Sequence, residues 1–103
     1  MRVMLKASVP VENGNQTIAD GSMSSKLQAI LGDLKPEAAY FLAFGGKRTA
    51  LIFLDLADSS QIPVAAEPFF MAFDAEVDFY PVMNADDLAK GLPLAMERVK
   101  KYE

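Results

Sequence analysis

The stretch AYFLAFGGKRTALIFLDL, residues 39–56, decides the architecture. Two apolar runs flank Gly45-Gly46-Lys47-Arg48, and paired glycines tolerate the positive φ of a tight primed turn, so the segment reads as a β-hairpin. Side chains alternate across a strand. Phe41 therefore points to one face while Tyr40, Leu42 and Phe44 point to the other, and Leu51 and Phe53 oppose Ala50, Ile52 and Leu54. Neither strand has a clean polar side. Both faces of the sheet that contains this hairpin need cover.

Upstream, Arg2 to Val9 reads as a first strand, with Val3, Leu5, Ala7 and Val9 on one face. Pro10 ends it. Glu12-Asn-Gly-Asn-Gln has turn or cap chemistry, with a short helix expected over Asn15 to Asp20 before Gly21. A stronger helix starts at Ser24 or Ser25 and carries Leu27, Ile30, Leu31 and Leu34 on one stripe until Lys35-Pro36. Downstream of the hairpin, Asp58-Ser-Ser-Gln61 opens a helix bearing Val64, Ala65, Phe69, Phe70 and Phe73. Pro68 lacks an amide N–H and crowds the carbonyl four residues back, so a kink or a two-piece helix is expected there. Glu76 to Val82 alternates as a last strand, with Pro81 near its end. Asn84, with Asp86 and Asp87 behind it, starts a terminal helix carrying Leu88, Leu92, Ala95, Met96 and Val99, with a bend expected at Gly91 and Pro93.

The order strand, helix, hairpin, helix, strand, helix is that of an α+β, ferredoxin-like split βαβ domain over residues 1–103. It predicts a four-stranded antiparallel sheet with two helices on one face, plus the C-terminal helix. Two helices cover only that face, so the opposite one requires a second subunit or the terminal helix. A homodimer is the expectation.

In this order of elements and its two-faced strands the chain resembles the ferredoxin-like proteins whose sheets pair into a dimeric α/β barrel. More narrowly, residues 35–56 (KPEAAYFLAFGGKRTALIFLDL), 62–83 (IPVAAEPFFMAFDAEVDFYPVM) and 87–102 (DLAKGLPLAMERVKKY) look like a small bacterial group of unassigned function. The resemblance implies fold and self-association and brings no catalytic residue with it. The broader superfamily includes cofactor-independent oxygenation, haem breakdown, isomerisation and small-molecule sensing, among which fold alone does not choose.

With 103 residues, 51% hydrophobic and 23% charged, the composition is that of one globular domain. A net charge of −4 with scattered Lys and Arg gives no continuous positive field, which argues against nucleic acid as a partner. No apolar run reaches the roughly 20 residues that span a bilayer. The N-terminal segment turns polar before a signal-peptide core forms, so the reading is a soluble, cytoplasmic protein with no membrane partner. Zero Cys and zero His exclude a thiolate nucleophile, an imidazole base, a Ser-His-Asp triad and an axial histidine for haem. No cofactor is expected. Asp74-Ala-Glu-Val-Asp78 spaces carboxylates two apart, but it lacks the Gly and the bidentate Glu of a calcium loop and reads as strand alternation, so no metal is expected.

Face assignment puts Val3, Leu5, Phe41, Ile52, Leu54, Val77 and Phe79 toward the helices. It collects Met4, Lys6, Ser8, Tyr40, Phe44, Leu51, Phe53, Asp55, Asp78 and Tyr80 on the other side. Lys6 near Asp55 or Asp78 is either an acid–base pair beside a cavity or an ion pair that ties the sheet or dimer. Tyr40 and Tyr80 are either hydrogen-bond donors to a ligand or interface residues with a wet tip. Arg48, beside the turn, either clamps an anion or is solvated. The candidate ligand-binding set is therefore Lys6, Tyr40, Asp55, Asp78 and Tyr80. The expected function is a homodimeric small-molecule-binding protein with a cavity between sheet and helices for an apolar or aromatic ligand, with a minor cofactor-independent enzyme as an extension. The alternative is a non-catalytic dimerisation or regulatory module.

Overall fold

The computed structural model describes residues 1–103. Strands β1 (Arg2–Val9), β2 (Ala38–Phe44), β3 (Lys47–Asp55) and β4 (Glu76–Pro81) form one antiparallel sheet in the order β2-β3-β1-β4. Helices α1 (Val11–Ala19), α2 (Ser22–Leu34), α3 (Gln61–Phe73) and α4 (Ala85–Val99) complete an α+β domain, with a short 3-10 turn at Lys100–Tyr102. The arrangement is compatible with a ferredoxin-like fold.

The hairpin turns on Gly45 and Gly46, at φ 59° and 78°, a region that costs a residue with a Cβ. Its register pairs Phe41 with Ala50 and Tyr40 with Leu51, so the alternation read in the sequence is the alternation in space. The core lies on one face only. Val3, Leu5, Ala7 and Val9 of β1 and Ala50, Ile52 and Leu54 of β3 meet Ile30 of α2 and Ala65, Phe69 and Phe73 of α3.

Two helix starts need correction, and so does the two-piece alternative at Pro68. The segment after Pro10 is helical from Val11, not from Asn15, because Pro10 sits at the N-cap with its fixed φ of −54° and Gly14 N–H already reaches Pro10 O at 2.9 Å. The local turn propensity of Glu12-Asn-Gly-Asn yields to packing, since Gly14 and Thr17 are buried. Helix α2 begins at Ser22, where Gly21 at φ 77° turns the chain and Asp20 Oδ1 accepts from Ser22 N–H at 2.8 Å. Helix α3 continues through Pro68. Both Pro68 and Val64, whose carbonyl loses its donor, lie on the exposed side of α3, where water can satisfy that carbonyl. Likewise α4 is one helix through Gly91 and Pro93, with no buried residue.

Candidate functional site

Each face of the sheet carries a distinct candidate. On the covered face, α1 to α3 lie over the inner strands and leave the edge strand β2 partly uncovered. A cavity of about 350 Å³ opens there. Its walls are Phe41 of β2, Ala7 and Val9 of β1, Ala50 of β3, Met23 and Leu27 of α2, and Phe69 and Phe73 of α3. That volume lies within the range of small-molecule pockets, which are apolar with a few placed polar groups.

The polar side chain at its border is that of Arg48. Arg48 donates from Nη1 to Asn15 Oδ1 at 3.2 Å, and its side chain passes directly over Gly14, where an added Cβ would lie 2.6 Å from Nη1. Gly14 thus lets the guanidinium lie against α1. The ion pairs of the chain are Met1–Asp55, Arg2–Glu37, Arg2–Asp87 and Lys47–Glu76, so the Arg48 charge has no carboxylate partner. Thr49 also borders the cavity, but its side chain has the parity of Leu51, with Oγ1 donating to Lys47 O at 3.0 Å and lying 3.5 Å from Ser8 Oγ.

The five residues singled out from the sequence lie on the opposite, open face, and none lines this cavity. They occupy different rows across the strands. Asp78, Lys6, Leu51 and Tyr40 form one row, and Tyr80, Met4 and Phe53 form the next. Asp55 lies in a third row, opposite Arg2 at the far end of β3. Lys6 and Asp78 are thus direct cross-strand neighbours, yet the Lys6 ammonium turns instead over the Phe44 ring, 3.9 Å from its centroid. Tyr40 stands edge-on to Phe53 at 6.3 Å. Asp55 accepts from the Met1 α-amino group at 2.8 Å, and that hydrogen bond and charge hold its carboxyl below the usual 3.8. Lys6, Asp78 and Tyr40 are brought together, Tyr80 is one row away, and Asp55 is apart.

The carboxylates of residues 74–78 are likewise dispersed. Asp74 accepts from Asn13 Nδ2 at 3.3 Å and terminates α3 at φ 51°, whereas Glu76 lies 3.7 Å from Lys47 Nζ. No cluster of three or more His, Cys, Asp or Glu side chains comes together to hold a metal ion. No helix is long and apolar enough to cross a membrane.

Sequence reading put Phe41 on the helix side and noted Arg48, but it left Met23 and Leu27 out of any site. The usable signal was positional: an edge strand with apolar residues on both faces leaves one side chain without a helix above it. No protein-family model matches the chain, and no curated protein matches it either.

Proposed function

We propose that the chain is a homodimeric small-molecule-binding protein, with a compact apolar or aromatic ligand seated between β2–β3 and α2–α3. The observation that carries the reading is the 350 Å³ cavity, walled by aromatic and aliphatic side chains with the Arg48 cation at its border. Such a cavity in a chain of only 103 residues interrupts an otherwise single small core. The ligand gains by burying apolar surface, and Arg48 orients any polar end. Nothing in the residue set identifies a reaction.

The open face supports self-association. Tyr40, Leu42, Phe44 and Tyr80 are exposed there around the half-buried Met4, Leu51 and Phe53. A contiguous apolar surface of this kind marks an interaction site. The ferredoxin-like, dimeric barrel reading of the sequence belongs to this proposal. A non-catalytic dimerisation module would use the same face and leave the cavity empty.

Titration with anilinonaphthalene sulfonate, an aromatic anion, separates the readings. One saturable site per chain is expected, and Phe41→Ala, which removes a wall but no buried core residue, should weaken it about 10-fold. Binding that survives Phe41→Ala but is lost in Tyr40→Ala would move the site to the open face. No saturable binding would favour the dimerisation module.

A further inference from the structure

Helix α4 leaves the domain instead of packing on it. The chain has a radius of gyration of 17.1 Å and a long axis of 58 Å, against roughly 13 Å expected for a compact chain of this length. No residue of α4 is buried, and its sustained contacts are with the 3-10 turn that follows it. Yet it is sharply amphipathic. At 100° per residue, Ala85, Leu88, Leu92, Ala95, Met96 and Val99 fall on one side, while Asp86, Asp87, Lys90, Glu97 and Arg98 fall on the other.

One side-chain contact joins its first turn to the chain's own sheet. Asn84 and Asp87 form a reciprocal capping box, and Asp87 Oδ2 accepts from Arg2 Nη1 at 3.0 Å. Asp87, on the polar side, is thereby tied to Arg2 at the end of the chain's own sheet, and no residue of the apolar stripe is buried against the domain. Only Val82, Met83 and Asn84 connect β4 to α4. Val82 N–H still donates to Arg2 O at 3.2 Å, so swinging the stripe back over the open face would break the Arg2–Asp87 ion pair.

Resting on the homodimer reading above, but in place of the direct sheet-to-sheet pairing of a barrel, we infer that α4 of each chain seats its apolar stripe on the open sheet face of a second copy. The dimensions agree. A helix of this length is about 22 Å long and 10 Å wide, against a four-stranded face of about 19 by 20 Å. In an isologous pair each chain contributes one arm and one sheet face, which buries on the order of 700 Å² per chain, close to the roughly 800 Å² of a stable interface. The alanines of the stripe allow close approach to Leu51 and Phe53. The charged side of the arm stays in water.

The native chain has no cysteine, so engineered pairs report cleanly. In the full-length double variant Leu51→Cys with Leu92→Cys, a short bismaleimide should give a covalent dimer. Leu51→Cys with Leu94→Cys, on the other side of α4, should not. Leu92→Glu should raise the dissociation constant of self-association about 100-fold or more with unchanged circular dichroism, because the residue lies outside the core, and Leu94→Glu should leave it unchanged. A crosslink confined within one chain would overturn the inference, as would a dimer indifferent to Leu92→Glu. If that dimer still dissociates in Phe53→Asp, the open-face homodimer survives without the arm; a monomeric wild type removes both.

Discussion

Helices α3 and α4 make an instructive pair. Each carries apolar residues, each contains a proline, and each continues through it. Helix α3 buries Ala65, Ala66, Phe69 and Phe73 against the sheet, whereas α4 buries nothing. The difference lies in how each is tethered. Helix α3 starts after a loop that returns it over the covered face, and the left-handed turn at Asp74 sends β4 back beneath it. Helix α4 is tied to the sheet at its first turn by the Asp87–Arg2 ion pair, and no residue of it is buried. An amphipathic pattern states that a helix needs an apolar partner, and the tether determines whether that partner is in the same chain.

The largest consequence is a contrast in stability. Phe69→Ala opens a cavity at a residue 1% exposed and should cost about 3–5 kcal/mol in urea unfolding. Leu92→Ala, in chains diluted to monomer, should stay within about 0.5 kcal/mol. Equal losses at the two positions would mean that α4 belongs to the folding core and that the contrast is false.

Intermediate in size is the cap that orients the arm. Asn84→Ala removes the acceptor for Asp87 N–H, 2.8 Å away, and should cost about 1 kcal/mol of α4 stability, read as faster amide exchange over the first turns of α4 with no change in β1 or β3. Exchange that rises across the whole sheet would show α4 to be integral to the domain.

Much of this was legible in the sequence, and the exceptions have physical causes. The hairpin was readable because Gly45-Gly46 fixes both the turn and its register, and the register fixes which side of β2 and β3 each residue takes. The row containing Lys6, Asp78 and Tyr40 followed from parity and strand order. The orientation of the Lys6 ammonium did not, since the Phe44 ring competes with Asp78 through long side chains that strand pattern leaves free. The start of α1 was hidden because Asn13-Gly14 has turn propensity, and what overrides it is tertiary: Arg48 lies across Gly14. For the same reason the sequence did not point to the residues that wall this cavity. Its walls come from α2, α3 and the edge of β2, whose relative placement no local pattern encodes.

The smallest effect is electrostatic. Asp55, bonded by the Met1 amino group, and Asp58, bonded by the Ser60 hydroxyl and N–H, both have carboxyls held below their ordinary 3.8. A lowered folded pKa means that each stabilises the fold fully above about pH 4, and that this contribution is lost as pH falls through the lowered value. Both groups are exposed, so the acid loss should be slight. Thermal melts of Asp55→Asn and Asp58→Asn should lie slightly below wild type at pH 7 and converge with it as acid protonates the wild-type carboxyls; a gap that widens in acid would reverse the assignment.

The central claim is that the apolar surface left open by one chain is closed by another. Sedimentation equilibrium of the wild-type chain at micromolar concentration, alongside Phe53→Asp, tests it most directly. A dimer is expected for the wild type, and a folded monomer with unchanged circular dichroism for the variant, because a charge would enter a desolvated contact. A wild-type monomer throughout that range, with Phe53→Asp indistinguishable from it, would contradict the claim.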